Sequence, residues 1–167
     1  MQPPALAHVI LGSAALLLGA GQFSLTKGTP LHRAVGASYV LCQFGLNLTA
    51  LTIYRVFGGF GIFHVFALIT LALLLVGFGA ALLKRPRGRW LAYHYYFMGW
   101  SYVGLLAATA TEVTTRLVQW PFAVAVGVPT VSVTLLGGAC VELWRRRTLL
   151  RYGSEATGRG ASLDALH

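Results

Sequence analysis

Five long apolar stretches run along the chain, each parted from the next by a short polar, glycine- or proline-bearing segment. They cover residues 5–26, 32–54, 58–83, 91–113 and 120–144. Each is close to the roughly 20 residues that cross a hydrocarbon core of about 30 Å at about 1.5 Å per residue. Runs of that length exceed what the core of a small soluble domain needs. The pattern predicts an all-α membrane protein, a bundle of five transmembrane helices. Residues 1–150 are expected to form one transmembrane domain, because the connections are too short for a second folded unit, and residues 151–167 a short, flexible cytoplasmic tail.

The breaks have local causes. Lys27, Gly28, Thr29 and Pro30 separate the first two helices, and Pro86 and Gly88 interrupt the connection between the third and fourth. Gly58, Gly59 and Gly61 loosen the start of the third helix. Pro121 suits the first turn of the fifth, whereas Pro129 falls inside it and predicts a kink. Gly137 and Gly138 suit close packing against a neighbour. No internal repeat or low-complexity tract is visible.

Composition agrees with this reading, since the chain is 56% hydrophobic and only 10% charged. Its net charge of +9 would suggest nucleic acid in a soluble protein. Here the basic residues instead flank apolar runs, as in Lys84-Arg85-Pro86-Arg87-Gly88-Arg89 and Arg145-Arg146-Arg147, so no nucleic-acid partner is expected. Lys27, Arg33, the 84–89 segment and the arginine run all face the cytoplasm if the amino terminus is outside and the carboxyl terminus inside. Only Arg55 and Arg116 fall on the opposite side. That topology suits a multi-pass protein of a bacterial inner membrane, with membrane lipid as its surroundings. The first apolar run has no Lys or Arg before it and is expected to be retained rather than cleaved as a secretory signal. Cys42 and Cys140 lie in separate apolar segments and read as buried free thiols.

Histidines carry the candidate chemistry. With alternating helix directions, His8 lies near the outer face and His64 about 9 Å into the third helix from that face, while His32 lies at the inner boundary and His94 about one turn within. The four imidazoles thus form two layers, His8 with His64 and His32 with His94. Opposed imidazoles in an apolar bundle suit haem, because each donates a lone pair to iron while apolar walls hold the macrocycle. Around His94 stand Trp90, Tyr93, Tyr95, Tyr96, Phe97, Met98 and Trp100, and Gly36 and Tyr39 follow His32 along one helical face. Arg33 is placed to pair with a propionate, and Met98, four residues after His94, offers a thioether as an alternate ligand. An aromatic interface belt with interfacial histidines would account for the same residues without a cofactor.

In the outer layer Tyr54, Arg55, Phe57 and Phe60 lie near His64, a position suited to a second cofactor or a quinone. His8 has a plain apolar setting. Glu112 precedes Arg116 by four residues, and Glu142 precedes Arg145 and Arg146, so local ion pairs are expected for both. His167 is assigned no chemistry. The chain contains no HExxH, GxSxG or phosphate-loop sequence, and its few carboxylates argue against di-iron or calcium sites.

The segment Lys27-Gly28-Thr29-Pro30-Leu31-His32-Arg33-Ala34-Val35-Gly36, followed by Tyr39, resembles a bacterial membrane-protein family known as domain of unknown function 2306. The resemblance continues through His64 and the basic loop to His94, over about residues 4–145. It directs attention to His32, Arg33, Gly36, Tyr39, His64 and His94 and implies no established reaction. A looser likeness joins the helix-end histidines to small cytochrome b and oxidase-assembly membrane proteins, although this chain does not carry two regularly spaced histidines in each ligand helix.

Two functions follow. One is a small membrane redox protein binding haem b through His32 and His94, passing electrons between quinol and a redox or respiratory membrane protein. The other is a noncatalytic membrane-complex subunit or assembly factor, whose small residues serve partner or homo-oligomeric contacts. Transport fits less well, because no inverted repeat or central charged pathway is present.

Overall fold

Thr29 and Pro30 set the start of the second helix by two separate effects. The Thr29 hydroxyl oxygen accepts from the His32 amide at 3.2 Å, and Pro30 occupies the first turn, where its missing N–H is not needed. In the computed structural model, which describes residues 3–54 and 58–164 and the side chains of 4–54 and 58–152, five helices follow in order. They are α1 (Pro3–Ser24), α2 (Pro30–Ala50), α3 (Ile62–Leu83), α4 (Trp90–Leu117) and α5 (Phe122–Asp164). Arg55, Phe57 and His167 lie outside the described residues.

Each helix end has a chemical cause. The Lys27 ammonium reaches back to the carbonyls of Gln22 and Phe23 and so covers acceptors that the end of α1 leaves unpaired. At the start of α3 the His64 side chain takes the Gly61 N–H, which leaves Gly58, Gly59 and Gly61 outside the helix. Threonines inside α4 return their hydroxyls to the preceding turn, as Thr109 does to the Leu105 carbonyl, and so cross an apolar region without unmet donors.

α5 departs furthest from expectation. It passes through Pro129 and continues beyond the predicted boundary at 144 as far as Asp164, taking in most of the segment expected to be a flexible tail. At about 1.5 Å per residue its 43 residues extend about 65 Å, about twice a hydrocarbon core. Arginine, leucine and glutamate after Val141 are good helix formers, and no second proline stops the backbone.

The first four helices close into a ring, with α1 against α2, α2 against α3, α3 against α4, and α4 back against α1. α5 packs on the outside of α4. Among the described residues, the diagonal pairs α1/α3 and α2/α4 make no close backbone contact, so side chains fill the space between them. Ala15, Tyr39, Val40, Leu46, Leu74 and Leu105 form the core, with Cys42, Met98 and Tyr102 packed against it.

Among the described residues, three helices, α1, α3 and α5, are long and apolar enough to cross a membrane by length and composition. α2 and α4 have the length, but their polar side chains lower their hydropathy. Those side chains face inward: Gln43, Asn47, Ser101 and Thr111 are all buried. Leu17, Leu41, Leu82 and Leu135 instead stand exposed on the outside of the bundle, the inverse of a soluble protein. Cys42 is half-buried, but Cys140 is exposed on α5, whose close backbone contacts among the described residues are with α4 alone.

Candidate functional site

The ring geometry sorts the histidines before any chemistry is invoked. His32 on α2 and His94 on α4 lie on one diagonal, and His8 on α1 and His64 on α3 lie on the other. Side chains that approach across a diagonal have the bundle interior between them.

His94 is held by a tertiary bond. Its Nδ1 lies 2.9 Å from the Gly77 carbonyl oxygen of α3, which can only accept, so Nδ1 carries the proton and the neutral ring keeps its lone pair on Nε2. A carbonyl acceptor on Nδ1 fixes both the tautomer and the orientation of the ring, as it does for metal-binding imidazoles. It depends on close approach of α3 and α4: a Cβ on Gly77 would lie 2.9 Å from the Met98 backbone nitrogen.

His32 lies within electrostatic reach of His94, and its Nδ1 is buried without a hydrogen-bond partner among the described residues. Gln22 of α1 donates from Nε2 to the His32 carbonyl at 3.0 Å, while its Oε1 is likewise buried and unpartnered. Gly36 leaves room for that amide, since a Cβ there would stand 3.1 Å from Gln22 Nε2. Lys27 acts electrostatically on both imidazoles, and burial pushes its ammonium below the usual lysine range. Arg33 is exposed. Arg33 also acts electrostatically on His32, whereas Lys27 acts on both rings.

Tyr39 lies deeper between α2 and α4 and is 2% exposed. Ser101 sends its single hydroxyl proton to the Met98 carbonyl at 2.8 Å, so the Tyr39 hydroxyl donates across the diagonal to Ser101 Oγ at 3.0 Å. Met98 packs against the core, and Tyr102 bonds from its hydroxyl to the Leu16 carbonyl of α1 at 3.2 Å. These residues close the space beyond the inner imidazoles.

The structure gives the outer histidines separate surroundings. Thr49 sends its hydroxyl proton to the Leu46 carbonyl at 2.8 Å and so accepts from His8 Nδ1 at 3.0 Å. Glu112 and Arg116 act electrostatically on His8 and pair with one another, as their spacing predicts. His64 is 3% exposed, stacks with Tyr54 and Phe60 at centroid distances of 4.8 and 5.0 Å, and accepts the Gly61 N–H on Nδ1 at 3.1 Å. The expected local pairing of Glu142 is formed with Arg145 at 2.9 Å, and the Tyr96 hydroxyl also donates to Glu142 at 3.0 Å.

Among the described residues no three His, Cys, Asp or Glu side chains gather into a metal-ion cage. Two imidazoles on facing helices are a different ligand set, the one that suits a macrocyclic iron. An open apolar groove of about 500 Å³ lies on the outside of α3, bordered by Leu83, Arg85, Pro86 and Tyr93, and neither inner histidine lines it.

Sequence reasoning missed Gly77, Gln22, Lys27 and Ser101 as neighbours of the candidate site. Gln22 and Ser101 carried a faint signal as lone polar side chains within apolar runs. Gly77 contributes only a backbone carbonyl, which leaves no mark in a residue pattern. Comparison with curated proteins found no match, and comparison with solved structures found none. The family described as "Predicted membrane protein (DUF2306)" matches residues 5–143, the region that forms the ring and the first half of α5, and the chain belongs to that family.

Proposed function

We propose that this protein is a five-span redox protein of the bacterial inner membrane that holds one haem b between His32 and His94. The amino terminus is outside, so both histidines lie towards the cytoplasmic face, where Lys27, Lys84 and the arginines of the 85–89 and 145–147 segments meet anionic headgroups. Electrons pass from a quinol to a protein partner in the same membrane. Quinol oxidation yields two electrons and two protons, and haem iron supplies one-electron transfer, so each quinol needs two passages to the partner.

The observation that carries this reading is the His94 bond to the Gly77 carbonyl, which turns the imidazole into an oriented lone-pair donor. The buried, unpartnered Nδ1 of His32 on the diagonal helix supports it, because a polar atom left unpaired in an apolar interior is costly. Lys27, which acts on both rings, and Arg33, which acts on His32, are the cations available to a propionate, and positive charge there favours arrival of an electron. Tyr39 and Ser101 fix the floor of the site by bonding to each other across it.

Protein isolated at native abundance tests this directly through its reduced-minus-oxidised absorption spectrum. A haem signal is expected that is absent from His32→Ala and His94→Ala and retained in His8→Ala. A folded, helical wild-type protein with no haem signal would overturn the proposal and favour the noncatalytic-subunit reading.

A further inference from the structure

His64 is the one buried imidazole whose geometry opposes iron ligation. Its Nδ1 accepts the Gly61 N–H, and a nitrogen that accepts carries no proton, so the ring proton lies on Nε2. That Nε2 is fully buried and has no partner among the described residues. Among the described residues this buried N–H donor, a group that native interiors almost always satisfy, therefore has no acceptor. Iron would need a lone pair where the proton sits.

The surroundings select the acceptor. Tyr54 and Phe60 stack on His64 with interplanar angles of 26° and 29°, so their faces run nearly parallel to the plane in which an acceptor must approach Nε2. Both are substantially exposed on their other sides, at 48% and 63%, and Ile62 and Val65 beside them are exposed apolar residues. A Cβ on Gly58 or Gly59 would meet nothing within 4 Å, so the backbone beside Phe60 is uncrowded. A flat, neutral, lipid-soluble ring bearing an acceptor oxygen fits these walls, whereas an anion would lose its hydration in apolar surroundings.

We propose that His64 Nε2–H donates a hydrogen bond to the ring carbonyl of a membrane-soluble quinone, bound in the half of the bundle opposite His32 and His94 and flanked by Tyr54 and Phe60. As the quinol site of the electron relay it rests on the redox reading above; as a binding site it needs no haem. The tautomer also separates His64 from His94 chemically, His94 offering a lone pair on Nε2 and His64 a proton.

The test uses the full chain in lipid discs free of native quinone, titrated with a short-chain benzoquinone labelled with carbon-13 at a ring carbonyl. Saturable binding and a lowered carbonyl stretching frequency in the infrared are expected. His64→Leu should remove the frequency shift and weaken binding about tenfold, the scale of one net hydrogen bond. His64→Gln can accept the Gly61 N–H and still donate, so it should restore the shift, which a merely structural role for His64 does not predict. Phe60→Ala should weaken binding and keep the shift. Binding no stronger than partition into protein-free discs, or a shift that survives His64→Leu, would overturn the site. Because the readout is ligand vibration, it stands or fails independently of haem content.

Discussion

Replacing Gly77 with leucine should unseat α3 from α4 and empty the inner site in one step. The added Cβ would fall 2.9 Å from the Met98 backbone nitrogen, 3.0 Å from Phe97 Cβ and 3.1 Å from Met98 Cγ. Backbone atoms cannot swing away as a side-chain tip can, so the helices must separate, at about 1–3 kcal/mol or more for overpacking. Separation also pulls the Gly77 carbonyl from His94 Nδ1, and a buried donor left unpaired costs about 1–3 kcal/mol more. Against a total stability of about 5–15 kcal/mol, the sum should lower the unfolding midpoint strongly and abolish haem retention. Gly79→Leu is the control two residues away, where an added Cβ meets nothing within 4 Å. Thermal unfolding and haem content of the two variants, measured side by side, should diverge; equal behaviour would mean that Gly77 is not the contact that seats α4.

Gly19→Val should produce the second large effect, by forcing α1 away from α4. A Cβ at Gly19 would sit 2.3 and 2.4 Å from two carbons of the Tyr102 ring and 3.1 Å from Tyr39 Cε2. Tyr102 cannot yield freely, because its hydroxyl is bonded to the Leu16 carbonyl and its ring meets the edge of Phe23 at 5.4 Å. Pushed towards Tyr39, it disturbs the bond from Tyr39 to Ser101 that crosses the inner site. The expected loss is about 1–3 kcal/mol, read as a fall of about 2–12 °C in the unfolding midpoint, with reduced haem content. Gly21→Val introduces the same side chain into the same helix where nothing lies within 4 Å, and it should leave both readouts near wild type.

The five helices were legible because apolar runs separated by glycine and proline report directly on backbone and solvent. The Thr29-Pro30 start and the Glu112–Arg116 pair were legible for the same local reason. The end of α5 was not: the arginine run marks where the apolar sequence stops, but a helix can continue through charged residues, and this one runs on to Asp164. Depth along each helix gave two histidine layers, yet depth carries no azimuth. Only the ring order shows that His32 and His94 share a diagonal, that Arg33 is exposed, and that Lys27 stands near both rings. The proton positions were further from view. His94 is oriented by a carbonyl on another helix, and His64 by the backbone N–H of a glycine at its own helix start. Neither partner has a side chain that a sequence pattern can register.

Haem-to-protein stoichiometry, obtained by extracting haem from native-abundance protein and counting chains by amino-acid analysis, bears most directly on the distinction between the two layers. One haem per chain is expected, since the outer diagonal pairs His8 with His64, whose Nε2 carries the ring proton and offers iron no lone pair. No haem on a folded bundle, or two per chain, would contradict it.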